Sequence, residues 1–73
     1  MRLPRGLSGD DAVRAFRRAG WQHVRTRASQ AMLQKEGHDY TLAVPLHREL
    51  GPGILRGLIR DAEMTVEEFV QHL

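Results

Sequence analysis

The sequence predicts a small two-layer α+β domain, ordered α-β-β-β-α plus a terminal helix, with the helices on one face of a three-stranded antiparallel sheet. Three observations carry this. Two stretches repeat apolar residues at helical spacing behind recognisable caps, short runs of β-forming residues lie between them, and 73 residues suffice for one core. A single domain over residues 1–73 is expected, with a thin core, because a chain this short buries only about 60% of the surface its unfolded form exposes.

The first helix is expected over residues 8–19. Ser8 and Asp11 make a Ser-x-x-Asp start, and Asp10 and Asp11 suit the positive end of the helix dipole. Ala12, Val13, Phe16 and Ala19 recur on one side, Arg14, Arg17 and Arg18 take the wet side, and Gly20 supplies the stop.

Three strands follow. Trp21–Arg27 is rich in β-formers but alternates imperfectly, which leaves its register open. Ala31–Lys35 is short, and Glu36-Gly37-His38-Asp39 reads as a solvated turn. Tyr40, Leu42 and Val44 alternate cleanly with Thr41 and Ala43, and Pro45 ends the run because it has no N–H to donate.

The last third is helical. Pro52 suits a first turn, and a helix over residues 53–63 presents Ile54, Leu55, Leu58, Ile59 and Ala62 as an apolar face, with Gly57 permitting close packing. Thr65 and Glu68 form a capping box, with Met64 and Phe69 as its hydrophobic staple, for a final helix over residues 65–72. Phe16, Trp21, Leu42, Val44, Leu55, Leu58, Ile59 and Phe69 are the expected core, with Tyr40 also assigned to it rather than to base stacking.

Composition removes several chemistries. The chain has no cysteine, so disulfides, zinc thiolates and thiol catalysis are excluded. Met1–Gly6 carries no apolar run and no window approaches 18 apolar residues, so a cytoplasmic protein without a signal peptide or membrane span is expected. Histidines lack the paired spacing of a metal site, and no Ser/His/Asp set stands out.

The overall charge of +2 hides an asymmetry. Residues 1–35 hold eight basic and two acidic side chains, a net +6, whereas residues 36–73 hold three basic and seven acidic, a net −4. Ten of the eleven basic residues are arginine, whose planar fork fits phosphate oxygens. A coding bias toward arginine would give the same count, but a basic half also points to a nucleic-acid partner. A helix-turn-helix built from residues 52–72 fits that partner poorly, because Asp61, Glu63, Glu67 and Glu68 would meet the phosphates.

Gly20-Trp21, Arg25, the turn at residues 28–30, Val44-Pro45-x-His47, Glu49-Leu50, Gly53-x-Leu55, Ile59 and Glu68-Phe69 stand in the order and spacing of the HicA family, which this sequence resembles from about Leu3 to Phe69. The resemblance implies a fold like that of double-stranded-RNA-binding domains. It also implies the toxin of a type II toxin–antitoxin pair: a metal-independent endoribonuclease, without cofactor, that cuts mRNA and is neutralised by a HicB-type antitoxin. The family's signature at the first strand connection is Gly-Ser-His, whose His is catalytic. Here the residues are Ala28-Ser29-Gln30.

That departure matters chemically. Histidine exchanges protons near neutral pH because its ordinary pKa is about 6.5, whereas a glutamine amide donates and accepts hydrogen bonds without titrating. Losing a general acid–base typically costs about 10²- to 10⁴-fold. Gln30 is therefore the candidate catalytic position, held by a residue that cannot perform the step. His47 is a candidate auxiliary, with a bond from its ring to a loop carbonyl as the structural alternative. Arg25, Arg27, Ser29, Lys35 and Arg48 are the candidate RNA-binding residues. Arg25 and Arg27 share a strand face and flank the turn, although a solvated sheet edge would place charges there too. Ala28 adds strain wherever the family's glycine uses a positive φ.

Overall fold

Both boxed helix starts are capped as their residues dictate. The computed structural model describes residues 2–73, and in it α1 (Gly9–Arg18) begins at Ser8, whose hydroxyl accepts from the Asp11 N–H while the Asp11 carboxylate accepts from the Ser8 N–H. A reciprocal pair between Thr65 and Glu68 starts α3 (Val66–Gln71). These bonds satisfy main-chain donors that a helix start leaves orphaned. Gly20, at φ 104°, follows α1 in the left-handed conformation expected of a stop. Between these helices lie β1 (Gln22–Arg27), β2 (Gln30–Gln34), β3 (Leu42–Pro45) and α2 (Pro52–Asp61).

The strands form an antiparallel sheet in the order β1-β2-β3. Ala31, Leu33, Leu42 and Val44 point to one face and are fully buried. Against them pack Phe16 of α1, Leu55, Leu58 and Ile59 of α2, and Phe69 of α3, with Trp21 closing one end. Phe16 and Phe69 meet as a tilted ring pair, centroids 5.1 Å apart, which ties the first helix to the last. All eight residues of the expected core are buried, and the two-layer α+β architecture with an antiparallel three-stranded sheet is the one the sequence predicts.

Five expectations need correction. Tyr40 precedes β3 and is 52% exposed; its hydroxyl lies by the Asp61 carboxylate, whose hydrogen bond and charge raise the Tyr40 pKa above its ordinary value. Ile54 is exposed because the buried stripe of α2 is narrower than its apolar pattern, running through Leu55, Leu58 and Ile59. Gly57 permits no close packing, since a β-carbon there would meet only the tip of Arg60, 4.0 Å away. His38 is not left to solvent: its ring tilts onto Trp21 at a centroid distance of 5.3 Å, with Nε2 3.6 Å from a Glu63 carboxylate oxygen. The turn that delivers it is closed by the His38 N–H donating to the Lys35 carbonyl, and Gly37 adopts φ 84°. Strand β2 also begins one residue earlier than its apolar run, at Gln30.

Candidate nucleic-acid interface

The connection between β1 and β2 has two residues, Ala28 and Ser29, at φ 51° and 61°. Positive φ at both central positions is the requirement of a type I′ hairpin, the turn whose twist matches its flanking strands. Neither residue is a glycine or asparagine, so the turn carries left-handed strain of about 1–2 kcal/mol per residue. Arg27 and Gln30 face each other as the closing pair.

A β-bulge decides what this hairpin presents. His23 pairs with Leu33 but Arg25 pairs with Met32, so Val24 is the extra residue. Counting by twos from Gln22, which shares the open face with Gln34, Arg25 and Arg27 would fall on the helix side of the sheet. The bulge returns them to the open face, beside Gln30, Met32 and Gln34. The imperfect alternation of residues 21–27 is the sequence trace of this insertion. Among the described residues neither guanidinium lies within ion-pair distance of a carboxylate.

The exit of β3 flanks the other side. Pro45 pairs with Gln30, the Leu46 N–H donates to the Ser29 carbonyl at 2.9 Å, and the Gly9 N–H donates to the His47 carbonyl at 2.9 Å. Thus His47 stands just past the strand that borders Gln30, held by its main chain, and its side chain is exposed. Gly9 makes this possible: a β-carbon there would lie 2.1 Å from the Pro45 carbonyl oxygen. Sequence reasoning passed over Gly9, Gln22 and Gln34; the last was legible as the third member of the Gln30, Met32, Gln34 alternation. Gln34 donates to the Thr41 hydroxyl at 3.3 Å, extending the polar surface of the open face.

The structure brings Arg25, Arg27 and Gln30 together, with Ser29 in the adjoining turn and His47 beyond the neighbouring strand. It does not bring Lys35 to them. The residue after Gln34 turns toward the helices, and its ammonium donates to the Ala19 carbonyl at 3.0 Å, at the negative end of α1. Arg48 is exposed in the bend after β3. Among the described residues no three His, Asp or Glu side chains converge as metal ligands, and no helix is long and apolar enough to cross a membrane.

The HicA toxin family of bacterial toxin–antitoxin systems matches residues 9–64, more than half of the chain. The chain belongs to the HicA toxin family. Among curated proteins none matches it. The matched span of this HicA-family chain begins at Gly9, the close contact with Pro45, and includes the whole sheet and α2.

Proposed function

We propose that this HicA-family chain holds RNA on the open face of its sheet, and that it is an mRNA endonuclease impaired at the chemical step by Gln30. One observation carries this reading: Gln30, where the family's catalytic histidine is expected, shares the open face with Arg25 and Arg27, and among the described residues no carboxylate lies within ion-pair distance of either guanidinium. Arginine forks bind phosphate oxygens bidentately, so the backbone of a bound strand is held beside position 30. The Gln30 amide can hydrogen-bond a ribose or phosphate, but it cannot remove a proton from a 2′-hydroxyl. Cleavage by the unaltered chain is therefore slow, its partner in the cell is a HicB-type antitoxin that covers this face, and both act in the cytoplasm without a metal ion.

A second reading, a non-catalytic protein that binds RNA or antitoxin, is favoured by the strain at Ala28, since a turn that departs from glycine as well as histidine is doubly altered. Cleavage of RNA by the purified unaltered protein, Gln30→His, and Ala28→Gly with Gln30→His, all in a chelator, separates the two. Restored cleavage in either variant supports the impaired nuclease. Inactivity of both, with native circular dichroism and RNA binding intact, establishes the binding-only protein. Cleavage at full rate by the unaltered chain transfers the acid–base role to His47.

A further inference from the structure

We infer that the groove between α1 and β1 is a second phosphate-binding site, which carries an RNA strand away from position 30 around the free edge of the sheet. This rests on the RNA-binding reading and extends it to a surface outside the hairpin. The groove is a shallow, open depression of about 670 Å³, lined by Arg14, Arg17, Arg18, Trp21, Gln22 and His23, together with Gly20. Among the described residues its lining holds three guanidiniums and no carboxylate, the Asp11 carboxylate that pairs with Arg14 lying outside the lining. Three other hollows among the described residues carry carboxylates in their lining: one Glu36 and Asp39, another Glu63 and Glu68, and a third Glu49 beside Arg2, Arg5 and Arg56.

The three arginines crowd one side of α1. Arg14 stands three residues from Arg17 and four from Arg18, so they are neighbours on one helix side, where like charges oppose helix formation. Two are held by the protein: Arg14 by the Asp11 carboxylate and Arg18 by the His72 carbonyl at 2.9 Å. Among the described residues Arg17 has no carboxylate within ion-pair range. Two braced forks and one free fork over an uncharged floor suit a chain of phosphates better than a single small anion.

The bulge joins this groove to the hairpin. His23 pairs with Leu33 on the helix side of the sheet and lines the groove, whereas Arg25 and Arg27 stand on the open side of the same strand. Gln22 belongs to the open face and to the groove wall. Strand β1 is an edge, exposed along all six residues, so cations flank it on both sides with no neighbouring strand in the way. A phosphate backbone leaving Arg27 can follow this edge past Gln22 to Arg17.

The test is the salt dependence of binding to a fluorescein-labelled single-stranded RNA of mixed sequence, followed by anisotropy. Arg14→Gln with Arg17→Gln is expected to reduce the log–log salt slope by about 1.4, at about 0.7 for each phosphate no longer neutralised. Arg56→Gln with Arg60→Gln removes the same charge from α2 and is expected to leave the slope nearly unchanged. Because Arg14 also braces the start of α1, the single variant Arg17→Gln is measured beside the pair and should weaken binding with little change in the unfolding midpoint. A slope unchanged in the Arg14/Arg17 pair, or lowered equally by the α2 pair, overturns the groove; if Arg25→Ala with Arg27→Ala still lowers the slope, the hairpin site stands alone. Absence of salt-dependent RNA binding by the unaltered protein overturns both, and assigns the arginines to an acidic protein surface.

Discussion

Gly9 and Pro45 are in contact through main chain alone: a β-carbon on Gly9 would stand 2.1 Å from the Pro45 carbonyl oxygen and 2.7 Å from the Leu46 α-carbon. The start of α1 is thereby pressed onto the exit of β3, the strand that borders Gln30. This predicts the sign of Gly9→Ala. Helix propensity alone would favour alanine by about 1 kcal/mol. The clash is with backbone, which cannot swing aside, and overpacking costs typically about 1–3 kcal/mol. Gly9→Ala should therefore destabilise the domain, read as a lower denaturant midpoint. A midpoint that rises would show that α1 slides without penalty.

Ala28→Gly should act in the opposite direction. Relief of the left-handed strain at φ 51° is worth about 1–2 kcal/mol, against about 0.4–1 kcal/mol lost to the greater freedom of glycine in the unfolded chain. The net gain lies between about 0 and 1.6 kcal/mol, and each 1 kcal/mol corresponds to a rise in the melting temperature of about 4–8 °C. Thermal unfolding followed by circular dichroism checks it, and a fall would mean that the Ala28 methyl group makes packing contacts that outweigh the strain.

Stability should decline with acid through the two capping boxes. The Ser8 N–H holds the Asp11 pKa below its ordinary value, helped by the Ser8 hydroxyl, and Thr65 does the same for Glu68. A carboxylate whose folded pKa is depressed contributes stability that is fully present above its unfolded pKa and is lost as pH falls through the folded one. For these groups the decline starts near the ordinary values of 3.8 and 4.5 and continues below them. Asp11→Asn with Glu68→Gln should flatten the acid limb of a plot of unfolding midpoint against pH. An acid limb as steep as before would exclude the caps as its source.

Lys35→Ala separates a structural lysine from an RNA-binding one. Its ammonium caps the end of α1 at the Ala19 carbonyl, so the variant should lose about 1 kcal/mol of stability, given its partial exposure. RNA affinity and salt slope should barely change. A reduction in slope like that of an arginine on the open face would return Lys35 to the interface.

Much of the fold was legible because its signals are short-range. The Ser8–Asp11 and Thr65–Glu68 boxes and the stop at Gly20 need partners within one helical turn, and the structure carries all three. The alternation of Leu42 and Val44 likewise marked the inner face of β3 correctly. Errors arose where a residue's fate depends on a distant surface. Tyr40 continues the alternation but lies beyond the helices' cover, and Ile54 sits beside the buried stripe rather than in it. His38 looked like a turn residue, yet the turn folds it against Trp21. At the candidate site, the family motif marked Gln30 and the shared face of Arg25 and Arg27 was read by period. Nothing local said which face that was.

Alone, the sequence determined the element order, the caps, most of the core, the departure at residues 28–30 and the basic character of the first half, because each is set by residue type and by neighbours a few positions away. Tertiary structure alone decided the face on which Arg25 and Arg27 stand, the diversion of Lys35 to α1 and the need for glycine at position 9. The bulge at Val24 depends on which residues of β2 lie opposite, Lys35 meets a carbonyl 16 positions away, and Gly9 meets a strand from the other half of the chain. A side-chain period of two turns one inserted residue into a reversal of faces, and that insertion is stabilised only by the pairing of two whole strands.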